Sequence, residues 1–207
     1  MWQDEEKNKI YRKILLVYLR TFILCILCGS LFCGLTASAA KKNKITEKER
    51  NAYLSQSGFI GSSIGVGQKM YFNSKGKGFL GGPLMMVRGC YSFSNDSSSN
   101  RPYMIQYKGV PMKARYAVKK SGIKRVVICM GTNGMYSSAD ATFHSYKAYI
   151  QGIRKESPHV VIFIEAMPPI RGERSILNNK NVNILNKKLS TYCEGQKDMY
   201  FIDINSV

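Results

Sequence analysis

A chain of 207 residues is long enough to bury the core of one domain, which excludes a miniprotein. Apolar residues at 44% and charged residues at 21%, with only 18 Gly and 6 Pro, exclude wholesale disorder and a collagen-like repeat. The 31 Lys and Arg against 13 Asp and Glu, a net +18, favour polyanionic surroundings: nucleic acid, anionic lipid or an acidic envelope polymer.

Residues 1–40 read as a signal peptide or an N-terminal membrane anchor. A basic stretch (Lys7, Lys9, Arg12, Lys13) precedes an apolar run from Thr21 to Leu35, and Ala37 and Ala39 fit a small-residue cleavage site. Left uncleaved, Ile14 to Leu35 would just span a bilayer, with Arg20 costing about 2.5 to 3.5 kcal/mol in its middle. The expected location is therefore exported, extracellular or envelope-associated, with a membrane tether as the alternative to cleavage. Cys25, Cys28 and Cys33 leave with a cleaved segment; Cys90, Cys129 and Cys193 remain, an odd set without CxxC spacing, which implies no disulfide framework. Removing the first forty residues leaves 26 basic against 10 acidic residues, and an exported protein carrying that excess meets wall polymers or lipid headgroups rather than nucleic acid. Residues 41–56 read as a basic linker, either a tether or a solvated first helix.

From residue 57 to 207 short apolar runs alternate with amphipathic helical patterns, the signature of an α/β domain. Strands are expected at Gly58 to Ile60, Leu84 to Val87, Arg125 to Met130, His159 to Ala166 and Met199 to Ile202. The third and fourth are apolar on both faces, as central strands between helices must be. A loop rich in Ser and Asn covers Tyr91 to Arg101. A helix after Pro111 turns Ala114, Ala117 and Val118 inward and ends near Gly122. Phe143, Tyr146, Ile150 and Ile153 mark a second helix behind an Asp140 N-cap, and Val182, Leu185, Leu189 and Tyr192 a third. The expected fold is a three-layer α/β/α domain with a mainly parallel five-stranded sheet.

Ligands of open α/β sheets bind outside the carboxyl ends of the strands, so the turns there are where chemistry belongs. Gly61-Ser62-Ser63-Ile64-Gly65 follows the first strand, Arg88-Gly89-Cys90 the second and Gly131-Thr132-Asn133-Gly134 the third. They offer a hydroxyl, a bare backbone N–H and an amide donor, the set a serine hydrolase needs for its nucleophile and oxyanion. As turn residues, Ser63 would cap the next helix, and Gly89 and Asn133 would serve the backbone alone.

From Ser57 to Val207 the sequence resembles the SGNH (GDSL-type) hydrolases, particularly small exported members from Gram-positive anaerobes. Phe59-Ile60-Gly61-Ser62-Ser63-Ile64 is similar to the first family block, Gly89 to the second-block glycine and Asn133, in a G-T-N turn, to the third-block asparagine. The resemblance implies Ser63 as nucleophile and Gly89 and Asn133 in the oxyanion hole. It further implies hydrolysis of acyl esters, with acylated carbohydrate among the expected substrates, and no metal or cofactor. Met167-Pro168, Asn186 near a helix end and Phe201-Ile202-Asp203 resemble weaker framework positions.

Several residues depart from that pattern. No Asp-x-x-His, the block that supplies the family's base and its orienting acid, occurs in the sequence, Ser62 stands in place of the first-block Asp, and Gly134 in place of the Asp after the third-block Asn. The expectation is therefore an impaired or truncated hydrolase whose last helix is missing, or a non-catalytic module that binds an envelope glycan or anionic polymer. His144 and His159 read as surface or edge residues. Glu165, near the end of an apolar strand, reads as a buried acid salt-bridged to a Lys or Arg.

Overall fold

In this computed structural model, which describes residues 45–135 and 137–205, the chain begins with α1 (Glu47–Ser55), β1 (Ser57–Gly61), α2 (Ser63–Ser74), β2 (Leu84–Val87) and α3 (Phe93–Ser97). It continues through β3 (Gln106–Tyr107), β4 (Val110–Pro111), α4 (Ala114–Ser121), β5 (Arg125–Cys129), α5 (Ala139–Glu156), β6 (Val161–Glu165), α6 (Asn179–Glu194) and β7 (Met199–Ile202). The five expected strands form one parallel sheet in the order β2-β1-β5-β6-β7, and β3 and β4 form a separate antiparallel hairpin.

Side-chain alternation along the strands sorts the core into two faces. Ile60, Val126, Ile128, Ile162 and Ile164 pack with Ala117 and Val118 of α4, Tyr146 and Ile150 of α5, and Leu185 and Leu189 of α6. Phe59, Val127, Phe163 and Ile202 point the other way, where Ile64 of α2 meets them. Helices thus cover both faces, and the three-layer α/β/α architecture is the one that the doubly apolar strands call for. The chain steps from β1 outward to β2 and then returns past β1 to β5, so the topological switch point lies at β1 and β5.

Several local expectations change. The N-cap of α5 is Ser138, whose hydroxyl accepts from Ala141 N at 3.0 Å, while Asp140 lies in the first turn and pairs with Lys188. The polar stretch from Tyr91 to Arg101 is not all loop: Ser92 caps the short α3, and a single 3₁₀ turn spans Arg101–Tyr103. Within the basic stretch before the domain, Thr46 and Glu49 form a capping box at the start of α1, and α1 buries Leu54 against Leu80.

The expected membrane tether is corrected: among the described residues no helix is long and apolar enough to cross a membrane. Residues 1–40, the expected leader or tether, lie outside the described residues.

Candidate active site

The three turns singled out from the sequence leave the sheet from one row. Gly61 of β1 is in register with Val87 of β2 on one side and Cys129 of β5 on the other. Ser63 lies two residues beyond that row, Gly89 two and Asn133 four, so all three sit at the carboxyl edge beside the switch point. The Arg88 N–H donates to Gly61 O at 3.1 Å, which carries the β1–β2 pairing up to the residue before Gly89.

Missing side chains make this edge tight. A Cβ on Gly61 would lie 3.2 Å from Cys129 O, and one on Gly65 would lie 2.7 Å from Val87 Cγ1. Side chains there would push α2 and Val87 apart where the helix rises from β1 against β2. Ser62 occupies the N-cap position of α2 and is buried, but its side chain makes no capping bond. Ser63 is the first helical residue and is exposed, so it is not the helix cap that a turn serine would be. Among the described residues neither histidine hydrogen-bonds Ser63. His144 is exposed on α5 with its ring 6.2 Å from that of Phe143, and His159 precedes β6, at the opposite end of the sheet.

Gly89 belongs to a turn closed by Tyr91 N donating to Arg88 O at 3.2 Å, with Cys90 in the left-handed region at φ 58°. A Cβ on Gly89 would meet nothing within 4 Å and its φ is not positive, so neither packing nor backbone conformation demands glycine there. The Arg88 guanidinium donates through Nε and Nη2 to Pro102 O, at 3.1 and 3.0 Å, and holds the Arg101–Tyr103 turn beside it. Asn133 lies in the 3₁₀ turn Thr132–Gly134, and its Nδ2 donates to Tyr91 O at 3.2 Å. Gly131, at φ 133°, is required as glycine, because a Cβ would also lie 2.7 Å from Met167 Sδ.

The structure therefore joins the Gly89 turn to Asn133 through one hydrogen bond and sets Ser63 at the start of the helix that follows the strand between theirs. Behind this edge lie groups that sequence reading missed. Tyr91 OH donates to Asp96 Oδ1 at 2.7 Å and lies 2.9 Å from Tyr149 OH, and burial pushes both phenols well above their ordinary range. Their partnership spans residues 91 to 149, a separation over which no pattern in the sequence signals contact.

Glu165 is buried as expected, but its partner among the described residues is the Cys129 thiol rather than a Lys or Arg. Burial pushes the carboxyl up to about 7, partly offset by the bond from Cys129, and burial and the neighbouring acid together push the thiol well up. Asn186 stands in the middle of α6 rather than near its end. Its Oδ1 accepts from Met167 N at 2.8 Å and its Nδ2 donates to Met167 O at 2.9 Å.

No protein-family model matches the chain. No curated protein matches it either. Solved structures do. A Streptococcus pneumoniae structure described as "a putative platelet activating factor" aligns over 75% of this chain and 71% of its own, with a TM-score of 0.50 and 13% identity. A carbohydrate esterase of family 3 from Talaromyces cellulolyticus aligns over 70% and 76%, at TM-score 0.47 and 13% identity. A family two carbohydrate esterase from Clostridium thermocellum aligns over 70% of this chain and 52% of its own, at TM-score 0.44 and 20% identity. At 13% identity the likeness to the Streptococcus pneumoniae structure is one of fold.

Proposed function

We propose that residues 57–207 form an ester hydrolase domain of SGNH type. In this reading Ser63 is the nucleophile, and the backbone N–H groups of Ser63 and Gly89 with the Asn133 amide bind the oxyanion. The substrate class is an acyl ester, with O-acylated carbohydrate foremost. The observation that carries it is the common row: Val87, Gly61 and Cys129 stand in register, and the three candidate residues leave the sheet directly beyond them.

Attack by Ser63 Oγ on the acyl carbonyl forms the new C–O bond and moves an electron pair onto the carbonyl oxygen; collapse expels the alkoxide and leaves an acyl-serine for water to cleave. The hydroxyl proton leaves to solvent water as Oγ attacks and solvent protonates the expelled alkoxide, because among the described residues neither histidine is bonded to Ser63 to carry the proton between them. In triad enzymes loss of one member costs several orders of magnitude in kcat, the remainder coming from the oxyanion hole and binding. The expected behaviour is slow covalent capture with weak turnover.

The test is to incubate the protein with a fluorophosphonate and map the adduct by mass spectrometry, alongside p-nitrophenyl acetate turnover. The adduct is expected on Ser63, absent in Ser63→Ala and slowed in Asn133→Ala, with ester turnover close to background. An adduct elsewhere, or none, would sink the nucleophile assignment. Robust turnover lost in Ser63→Ala would keep the site and overturn its impairment.

A second reading, a non-catalytic module for anionic glycan or polymer, is favoured by the charge of +18 and by that same lack of a bonded histidine at Ser63. It predicts polymer binding that survives Ser63→Ala unchanged.

A further inference from the structure

We propose that the buried hydroxyl chain Tyr149–Tyr91–Asp96 is a positioning device for the oxyanion-hole donors, setting the direction of the Asn133 amide and the place of the Gly89 N–H together. The inference rests on the ester-hydrolase reading and names what holds its site in shape.

The Asn133 amide nitrogen carries two hydrogens, and one is donated to Tyr91 O at 3.2 Å. Because the amide is planar, the direction of the second N–H is fixed once the first is held. Where that free N–H points is therefore decided by where the Tyr91 carbonyl stands. Tyr91 also closes the turn over Gly89, through its N–H to Arg88 O at 3.2 Å. One residue thus sets both donors, by its carbonyl on one side and its N–H on the other.

Tyr91 is in turn held by its far end. Tyr91 is 1% exposed, and its hydroxyl meets Asp96 Oδ1 at 2.7 Å and Tyr149 OH at 2.9 Å. A phenol has a single hydrogen. Tyr91 gives its hydrogen to Asp96, so the hydrogen between the two phenols must come from Tyr149. Burial keeps both phenols protonated across the physiological range, so the relay of donors does not lapse. Asp96 Oδ1 also accepts from Ala114 N at 2.8 Å, at the start of α4. Asp96 of α3 and Tyr149 of α5 thus meet the Tyr91 hydroxyl directly, and α4 holds Asp96 in place through Ala114 N.

Packing alone does not call for these hydroxyls. Phe93 already fills this corner, its ring edge-on to Tyr146 and Tyr149 at 4.7 and 5.3 Å between centroids. Phenylalanine at 91 and 149 would occupy nearly the same ring volume. What the hydroxyls add is a direction, transmitted to a carbonyl that faces Asn133.

The experiment uses the full ¹⁵N-labelled chain as wild type, Tyr91→Phe, Tyr149→Phe and Ile153→Val, a core change elsewhere on α5. Three quantities are read: the NMR order parameter of the Asn133 side-chain amide, the rate of fluorophosphonate capture at Ser63, and Tm. In Tyr91→Phe the order parameter is expected to fall from about 0.85 to below about 0.6, with capture at least tenfold slower. Tyr149→Phe, which keeps the bond from Tyr91 to Asp96, should lie between that variant and wild type. Ile153→Val should lower Tm while leaving both other readings in place, which a merely structural role of Tyr91 would not separate. An Asn133 amide as rigid in Tyr91→Phe as in wild type overturns the proposal. Should Tyr91→Phe fail to fold, Tyr149→Phe decides by the same criterion. Loosening of the amide in a protein whose wild-type Ser63 never captures the probe would leave the positioning role standing and remove the hydrolase reading.

Discussion

A carboxyl at the end of a central strand with a thiol for its partner makes stability depend on pH in a direction opposite to an ordinary surface acid. Glu165 titrates at about 7 in the folded chain against 4.5 for the ordinary value, so between those pH values the folded state holds a proton that the unfolded state has released. Stability must fall as pH rises through that window and level off above it, by about 3 kcal/mol for a buried group shifted this far. Urea unfolding of wild type from pH 5 to 8 is expected to show that fall, and Glu165→Gln, which mimics the protonated acid, should abolish most of it. Parallel curves for the two proteins would show that Glu165 is ionised in the fold throughout. That this residue is a buried acid is legible in the run His159 to Ala166, where it is the one charge in an apolar strand. Its partner is not legible, because the neighbour is set by the register between β5 and β6, in which Ile128 faces Ile164. The same reason hides the link from Asn133 to Tyr91: each residue type suits a turn, and only the fold brings the two turns together.

Elements are attached to one another at this edge by side-chain amides that stand in for backbone partners. Asn186 of α6 holds both backbone groups of Met167, just after β6, and Asn205 Nδ2 adds a second donor to Met167 O at 3.1 Å. Met167 in turn lies over Gly131, at the head of the turn that carries Asn133. Asn186→Ala strands the buried Met167 N–H and is expected to cost about 1 to 3 kcal/mol. Asn205→Ala alone leaves every Met167 group one partner and should cost less. The double variant removes both donors to Met167 O, so its cost should exceed the sum of the two. Unfolding midpoints of the four proteins check this, and simple additivity would show that the two amides act on separate groups. Elements whose residues repeat over several turns or are apolar on both faces can be read from sequence, as the five sheet strands and helices α4 to α6 show. Helix α3, at five residues, and the two-residue strands β3 and β4 are too short for any periodicity to register. Their order comes from Ser92 capping α3 and from left-handed Lys108 and Gly109 turning the hairpin.

At the scale of the whole molecule the excess of positive charge remains after every internal use is counted. Arg50 pairs with Glu47, Lys119 with Glu156 and Lys188 with Asp140, all with at least one partner near solvent. Even if each of the 13 acids neutralised one base, 18 of the 31 Lys and Arg would still lack a carboxylate. Such pairs at the surface add little to stability. The surplus acts instead outward, as a field that concentrates polyanions around the protein and is cut off beyond about 8 to 10 Å at physiological ionic strength. On the anionic-polymer reading proposed above, a polyanion would be held by many weak contacts without any one of them selecting it. Retention on immobilised heparin, a defined anionic polysaccharide, should be strong at low salt. The affinity should fall about tenfold or more between roughly 50 and 200 mM salt, since each phosphate-like or sulfate contact releases a counterion. Ser63→Ala should elute at the same salt as wild type, because the charge field does not involve the hydroxyl. Retention that is absent at low salt, or unmoved by salt, would show that the surplus charge is only solvated surface and would leave the anionic-polymer reading without its support.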